Sequence, residues 1–309
     1  MKVNILMSTY NGQQFLAEQI RSIQEQTFAD WTLLIRDDGS SDQTKDLLQD
    51  FARQDSRIRL IDLEEQENIG VIKSFNRLVQ YEKADYYFFS DQDDVWLPDK
   101  LEVSLREAQF YPTNQPLMVY MDLKVVDEQL ETMTESMIRS QSHHANTQLV
   151  QELTENTVTG GVAMINHTLA ELWSETEGIL MHDWYLALLA SALGKLVFID
   201  RPGELYRQHA DNVLGARTLS KRFKKWIRPH ILFKVYWELI KNSQKQASFL
   251  LNKPLSPADR ELVQAFVAIM DKPMLERYQT LKKYGLRKNK AFHTFVFTTL
   301  IVTKIAYKE

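Results

Sequence analysis

Four short apolar runs, each followed by a polar turn and then by a stretch of helical period, constrain the first third of this 309-residue chain more than any other feature. Val3–Met7, Trp31–Ile35, Ile58–Leu63 and Asp85–Phe89 read as strands. Between them Phe15, Leu16, Ile20 and Ile23, then Leu47, Leu48 and Phe51, then Phe75, Leu78 and Val79 recur on one side of a helix. Ser41 or Asp42 can cap the second helix, and Asn68-Ile69-Gly70 opens the third. Strands that alternate with helices across short connections form parallel pairs, because a parallel crossover needs an intervening element. The expected class is α/β, a mostly parallel sheet with helices on both faces.

In such sheets ligands bind beyond the carboxyl ends of the strands. Those ends carry Ser8-Thr9-Tyr10-Asn11, Asp37-Asp38 and Ser90-Asp91-Gln92-Asp93-Asp94. The last group follows directly on the aromatic run Tyr86-Tyr87-Phe88-Phe89. Three carboxylates where a strand leaves a core repel one another and lose hydration, unless a cation or a donor-rich ligand offsets them. Asp91 and Asp93 are spaced to reach one hard cation such as Mg²⁺ or Mn²⁺, which prefers oxygen ligands and keeps positions open for phosphate. An isolated Asp-x-Asp is more simply a solvated acidic turn. The convergence of three polar groups on one sheet edge argues for a site.

Further along, Leu117–Val126 and Lys195–Asp200 read as strands, the second followed by a Pro202-Gly203 turn. Gly160 and Gly161 permit close approach of the backbone to a ligand. His182-Asp183-Trp184 begins an apolar helix that runs to Leu193 and ends at Gly194. The chain has no cysteine, which excludes a disulfide framework, a thiolate nucleophile and a zinc–thiolate site, and suits a reducing cytosol. Met1–Met7 is too short an apolar stretch for a secretory signal, and no run reaches the roughly 18 apolar residues of a spanning helix.

The motifs Met7–Gly12, Ile35–Asp42, Asn68–Gly70, Ser90–Asp94, Thr159–Gly161, His182–Trp184 and Tyr206–His209 occur in an order and spacing that resembles a known family. Over about residues 3–212 the chain is similar to the inverting nucleotide-sugar glycosyltransferases of family 2, which have the GT-A fold. The resemblance implies that Ser8, Thr9, Tyr10 and Asn11 hold the nucleotide, with Tyr10 against the base and Asp38 accepting from the pyrimidine N–H. It implies that Asp91 meets ribose or metal, that Asp93 holds the divalent ion bridging the diphosphate, and that His209 completes the metal shell or contacts the diphosphate. Lys73 would add charge near the phosphates. Asp183 matches the catalytic base, preceded here by His182 where the family usually has an acidic residue. Gly160, Gly161, His182 and Trp184 would line the acceptor side. Plainer readings stand beside these: helix caps for Asp37, Asp38 and Asp183, a turn cap for Asp94, a surface lysine for Lys73. His143 and His144 read as a solvated loop.

Within the family the motifs look most like bacterial rhamnosyltransferases. Those move L-rhamnose from dTDP-β-L-rhamnose to a polyprenyl-diphosphate-linked saccharide in cell-wall polysaccharide synthesis, often with an α-1,3 link. The same fold with a UDP-hexose donor is the nearest alternative. A non-catalytic, membrane-docked scaffold that binds nucleotide sugar is the alternative of another class, though a scaffold need keep neither the Asp-x-Asp nor Asp183.

Charge divides the chain. Residues 1–216 hold 17 Lys and Arg against 35 Asp and Glu, whereas residues 217–309 hold 20 against 6. The expected division is a glycosyltransferase domain over 1–216 and a basic helical region over 217–309. Basic residues interleaved with Phe223, Trp226 and Ile227 fit an interfacial helix on the inner face of the cell membrane, with homodimerisation as the other use of the apolar faces. The acidic main domain and the lack of recognition motifs argue against nucleic acid.

Overall fold

The structure is a computed structural model that describes residues 1–62, 67–209 and 229–307. It begins with β1 (Val3–Thr9), α1 (Leu16–Gln24), β2 (Thr32–Asp37), α2 (Thr44–Gln54), β3 (Ile58–Ile61), α3 (Val71–Tyr81) and β4 (Tyr86–Ser90). There follow β5 (Val95–Trp96), α4 (Lys100–Ala108), β6 (Leu117–Val126), β7 (Thr132–Thr134), and the short helices α5 (Met137–Gln141) and α6 (Leu149–Glu152). A 3₁₀ turn at Gly160–Val162 leads into β8 (Ala163–Asn166), α7 (His167–Ala170), α8 (His182–Leu193) and β9 (Lys195–Arg207).

The strands form one sheet in the order β3-β2-β1-β4-β8-β6-β9-β5, with β7 on β6. The expected parallel pairing holds across β3, β2, β1 and β4. Beyond β4 the sheet is mixed: β8 runs antiparallel to both β4 and β6, and β6 and β9 are parallel again. Side-chain alternation assigns the two faces. Ile5, Met7, Leu33, Ile35 and Phe88 pack with Leu16, Ile20, Leu48 and Leu101 on one side. Leu6, Leu34, Tyr87 and Phe89 pack with Phe75, Leu78, Leu186 and Leu189 on the other. Burial on both faces explains why these strands are continuously apolar.

One expected turn is absent. β9 passes straight through Pro202-Gly203, and its register against β6 slips at Met121/Asp122 and Asp122/Lys124 instead. Proline has no N–H to give a ladder, so an irregular stretch is where a strand tolerates it. The interruption is used: Gly203 C=O accepts from Leu97 N–H at 2.9 Å and ties the acidic-cluster segment to β9.

The C-terminal region is helical: α9 (Pro229–Ser248), α10 (Pro257–Val267), α11 (Met274–Tyr284) and α12 (Ala291–Thr303). Trp237, Ile240, Phe266, Leu281, Phe297 and Leu300 from these helices join the same apolar cluster as α8. Phe223, Trp226 and Ile227 lie outside the described residues. Among the described residues, no helix is long and apolar enough to cross a membrane.

Candidate active site

Three strand ends meet at one edge, and side-chain hydrogen bonds stitch them into a unit. Thr9 aligns with Asp37, and Met7 with Ser90. Thr9 Oγ1 donates to Asp37 Oδ1 at 3.0 Å, Asn11 N–H to Ser40 Oγ at 2.8 Å, and Gly12 N–H to Thr44 Oγ1 at 2.8 Å. In return Ser41 N–H donates to Asn11 Oδ1 at 2.9 Å, with Asn11 at a φ of 48°. Gln92 grips the other side: its amide accepts from Tyr10 N–H at 2.8 Å and donates to Tyr10 C=O at 3.0 Å. A Cβ on Gly12 would stand 2.3 Å from Gln92 Oε1, so a side chain there would push the Gln92 amide aside. The stitching leaves Ser8 half-buried and the Tyr10 ring 51% exposed beside the acidic cluster.

Asp37 and Asp38 both face inward. Asp37 accepts from Thr9 and from Ser40 N–H, at 3.0 and 2.8 Å. Asp38 is 3% exposed; Oδ1 pairs with Arg36 Nη1 at 2.5 Å and accepts from Ile69 N–H at 2.8 Å, while Oδ2 accepts from Gly70 N–H at 2.9 Å. The carboxylate expected to face a nucleobase thus also braces the Asn68–Gly70 turn, with three donors on its two oxygens.

The acidic cluster has a different environment at each position. Asp93 Oδ2 meets His209 Nε2 at 2.7 Å, bringing two of the residues matched to the metal together across the sheet, with the Phe15 ring 5.0 Å from the imidazole. Asp94 is fully buried; Oδ1 accepts from Arg207 N–H at 2.8 Å and Oδ2 has no partner among the described residues. Burial above all, then Glu204, Asp93 and Asp91, pushes its carboxyl well above the usual carboxylate range. Burial, then Asp93, Glu204 and Asp183, pushes Asp91 up to about 8. Glu204, Asp94 and Asp91 crowd here around the buried Lys100, whose ammonium lies 2.9 Å from Glu204 Oε2.

Among the described residues no three His, Asp or Glu side chains form a ready-made metal cage. The donor chemistry nevertheless fits a hard divalent ion. Asp93 and His209 would supply two ligands, the orphaned Asp94 oxygen and the raised Asp91 report uncompensated acid, and Mg²⁺ usually completes its shell with water and substrate phosphates.

Across the cluster stands Asp183. It lies in the first turn of α8 behind the N-cap residue Met181, where the helix dipole favours negative charge. Oδ2 accepts from Gly160 N–H at 3.1 Å and Oδ1 from Trp184 N–H at 2.6 Å. Burial outweighs these bonds and pushes Asp183 up to about 6. The other acceptor-side expectations separate. Gly160 lies against His182 and Asp183, and Gly161 against Glu204. His182, 2% exposed, turns into a box of Phe75, Phe89 and Trp173, where burial holds its imidazole down at about 3. Trp184 is 9% exposed and donates Nε1–H to Glu152 C=O at 2.8 Å, so it belongs to the core. Lys73 pairs at the surface with Glu177 at 3.0 Å.

Sequence reasoning missed Gln92, Lys100, Glu204 and Arg207. Arg207 is 2% exposed; its backbone holds Asp94, Nε donates to Asp93 C=O at 2.9 Å, and its guanidinium pairs with Glu18. It was visible inside Tyr206–His209. Lys100 and Glu204 carry no local signal.

A sheet of this topology with an acidic strand-end loop facing a buried carboxylate on a helix is the GT-A arrangement of sugar-nucleotide transferases. The profile of glycosyl transferase family 2 matches residues 4–173, and the chain belongs to that family. It is 30% identical over 245 residues to the dTDP-rhamnosyl transferase RfbG of Shigella flexneri, covering 73% of this chain and 82% of that one. The UDP-Glc:alpha-D-GlcNAc-diphosphoundecaprenol beta-1,3-glucosyltransferase WfgD of Escherichia coli is 36% identical over 103 residues, covering 33% of this chain and 39% of that protein. Among solved structures, S. aureus TarS 1–349 with UDP-GlcNAc superposes with a TM-score of 0.60 at 16% identity, over 92% of this chain and 80% of that one. The mannosyltransferase PcManGT of Pyrobaculum calidifontis with GDP-Man and Mn²⁺ gives 0.57 at 14% identity, over 92% of this chain and 72% of that one. At these identities the structural likeness speaks for the fold.

Proposed function

We propose that this glycosyltransferase is inverting and metal-dependent, and moves L-rhamnose from dTDP-β-L-rhamnose to a lipid-linked saccharide in bacterial cell-wall polysaccharide synthesis. The observation that carries the reading is Asp183: a buried carboxylate, poised near 6 and oriented by two backbone N–H groups, facing an acidic cluster suited to a cation-bound diphosphate. Support for the donor comes from the relative that covers most of both chains, named as a dTDP-rhamnosyl transferase. A UDP-hexose donor is the second reading, favoured by the glucosyltransferase name of a shorter match.

In this account the nucleoside lies along Ser8–Asn11 against the Tyr10 ring, with Asp38 holding the turn beneath. Asp93 and His209, with Asp91, would hold the cation. A divalent cation bound there neutralises the charge that gathers on the leaving diphosphate. The Asp183 carboxylate takes the proton of an acceptor hydroxyl while that oxygen bonds to the anomeric carbon. The bond from that carbon to the diphosphate breaks, and the nucleoside diphosphate leaves with its electron pair. Attack from the opposite face turns a β donor into an α product, and Asp183 then returns its proton to solvent. Lipid-linked acceptors bring the enzyme to a membrane, and the basic C-terminal region is proposed to dock it on an anionic cytoplasmic face.

The test is to incubate purified protein and Mn²⁺ or Mg²⁺ with a panel of nucleotide sugars and short lipid-linked acceptors, and to weigh the products. A deoxyhexose added from dTDP-rhamnose supports the reading. Hexose added from a UDP-sugar selects the second, and no transfer across the panel overturns both in favour of a scaffold.

A further inference from the structure

We propose that the buried Lys100–Glu204 pair positions the base: it holds the Gly160-Gly161 backbone against Asp183 and ties that carboxylate to the strand that fixes the diphosphate side. The inference rests on the reading of Asp183 as base. Lys100, at the start of α4, is 1% exposed and Glu204, on β9, is 0% exposed. The ammonium lies 2.9 Å from Glu204 Oε2, 3.7 Å from the centroid of the Trp96 ring, and donates to Gly161 C=O. The same peptide carries Val162 N–H, which donates to Thr159 C=O at 3.2 Å, and that carbonyl shares its peptide with the Gly160 N–H that donates to Asp183 Oδ2 at 3.1 Å. A chain of contacts therefore runs from β9 through Glu204, Lys100 and the glycine pair to Asp183.

The same strand reaches the other half of the site. Glu204 pairs with Trp96 in the β5–β9 ladder, and three residues on, Arg207 N–H holds Asp94 and Arg207 Nε holds Asp93 C=O. β9 thus clamps the acidic loop with one end and sets the base with a side chain further back. Glycine is required for the second contact, since a Cβ on Gly161 would stand 2.6 Å from Glu204 Oε1. A dry ion pair is a poor source of stability, because desolvation offsets the attraction between its charges. Here it supplies direction: an ammonium aimed at one carbonyl fixes one peptide. The titratable groups around Asp183 are Asp91 on the acidic loop, Glu152 on α6 and His182 on its own helix, so Lys100 acts on it through the backbone.

Three variants test this: Lys100→Met with Glu204→Gln, which removes both charges together; Gly161→Ala, which wedges the glycine off Glu204; and Asp183→Asn. Nucleoside diphosphate release is followed from pH 5 to 9 with the donor and acceptor that the wild-type enzyme turns over. The expected result for the first two is a kcat reduced about 10- to 100-fold with donor KM within about threefold. The acid limb of the kcat profile should move to higher pH, because a carboxylate that loses an N–H donor holds its proton more tightly. If the charge-free pair variant unfolds, as melting shows, Gly161→Ala alone decides. Wild-type kcat and an unmoved acid limb in a folded variant, with Asp183→Asn inactive, overturn the positioning role. An active Asp183→Asn overturns the base assignment itself.

Discussion

At the scale of single residues, two carboxylates on facing elements hold protons for different purposes. As the proposed base, Asp183 must be ionised to accept a proton, and its carboxyl is pushed up to about 6, so turnover should rise with pH through about 6 and level off above it. A kcat profile flat from pH 5 to 8 would contradict this. Glu152 on α6 is fully buried, and burial raises its carboxyl well above 4.5 with no part in the chemistry. The folded chain therefore keeps a proton that the unfolded chain releases, and stability declines as pH rises above about 4.5. Glu152→Gln has no proton to release, so its melting temperature should exceed that of wild type by about 2 °C or more at pH 8, the margin shrinking toward pH 4. A lower melting temperature at pH 8 would show that the carboxyl makes bonds an amide cannot.

At the scale of elements, the site depends on turns locked to one another more than on the strands that deliver them. The β1–α1 turn is held by Gln92 from the acidic loop through both polar groups of Tyr10. Gly12→Ala drives a Cβ into that amide, and should raise donor KM about tenfold, or ~1.4 kcal/mol. Combining it with Gln92→Ala should cost less than the sum of the two, as expected for contacting residues. Strict additivity would mean that the turn and the loop act independently. Elements also mark the limit of sequence reading. The parallel half of the sheet was legible because strands such as Val3–Met7 and Phe88–Phe89 are apolar throughout and end in polar turns. The pairing of Asp93 with His209, 116 positions away, was legible only through motif resemblance. Lys100 was not legible at all. In Pro98-Asp99-Lys100-Leu101 it reads as a surface lysine, and its burial is decided by a glutamate 104 positions later. Pro202-Gly203 misled for a related reason: a local turn signal was overridden by the long ladder between β6 and β9.

At the scale of the whole molecule, the helices after residue 228 share the apolar core of α8, yet leave Met274, Leu275, Phe292 and Phe295 at 50–69% exposure. Apolar side chains in a strongly basic region match an anionic bilayer surface, where each Lys or Arg contributes about 1 kcal/mol. Vesicles containing anionic lipid should retain the protein at low salt and release most of it at about 0.5 M salt, where the screening length is only a few ångströms. Leu275→Ser with Phe295→Ser should weaken retention without changing turnover of a soluble acceptor. Equal retention on neutral vesicles would remove the electrostatic part of the account.

In the proposed mechanism this family 2 transferase uses Asp183 as the base for attack on a donor held by Asp91, Asp93 and His209. The most direct measurement is kcat together with the donor dissociation constant for Asp183→Asn. Asp183→Asn should lower kcat by about 10²- to 10⁴-fold with donor affinity unchanged, because in the proposed arrangement the carboxylate touches the acceptor and not the nucleotide. A variant that turns over at the wild-type rate, or one that loses donor binding along with activity, would contradict it.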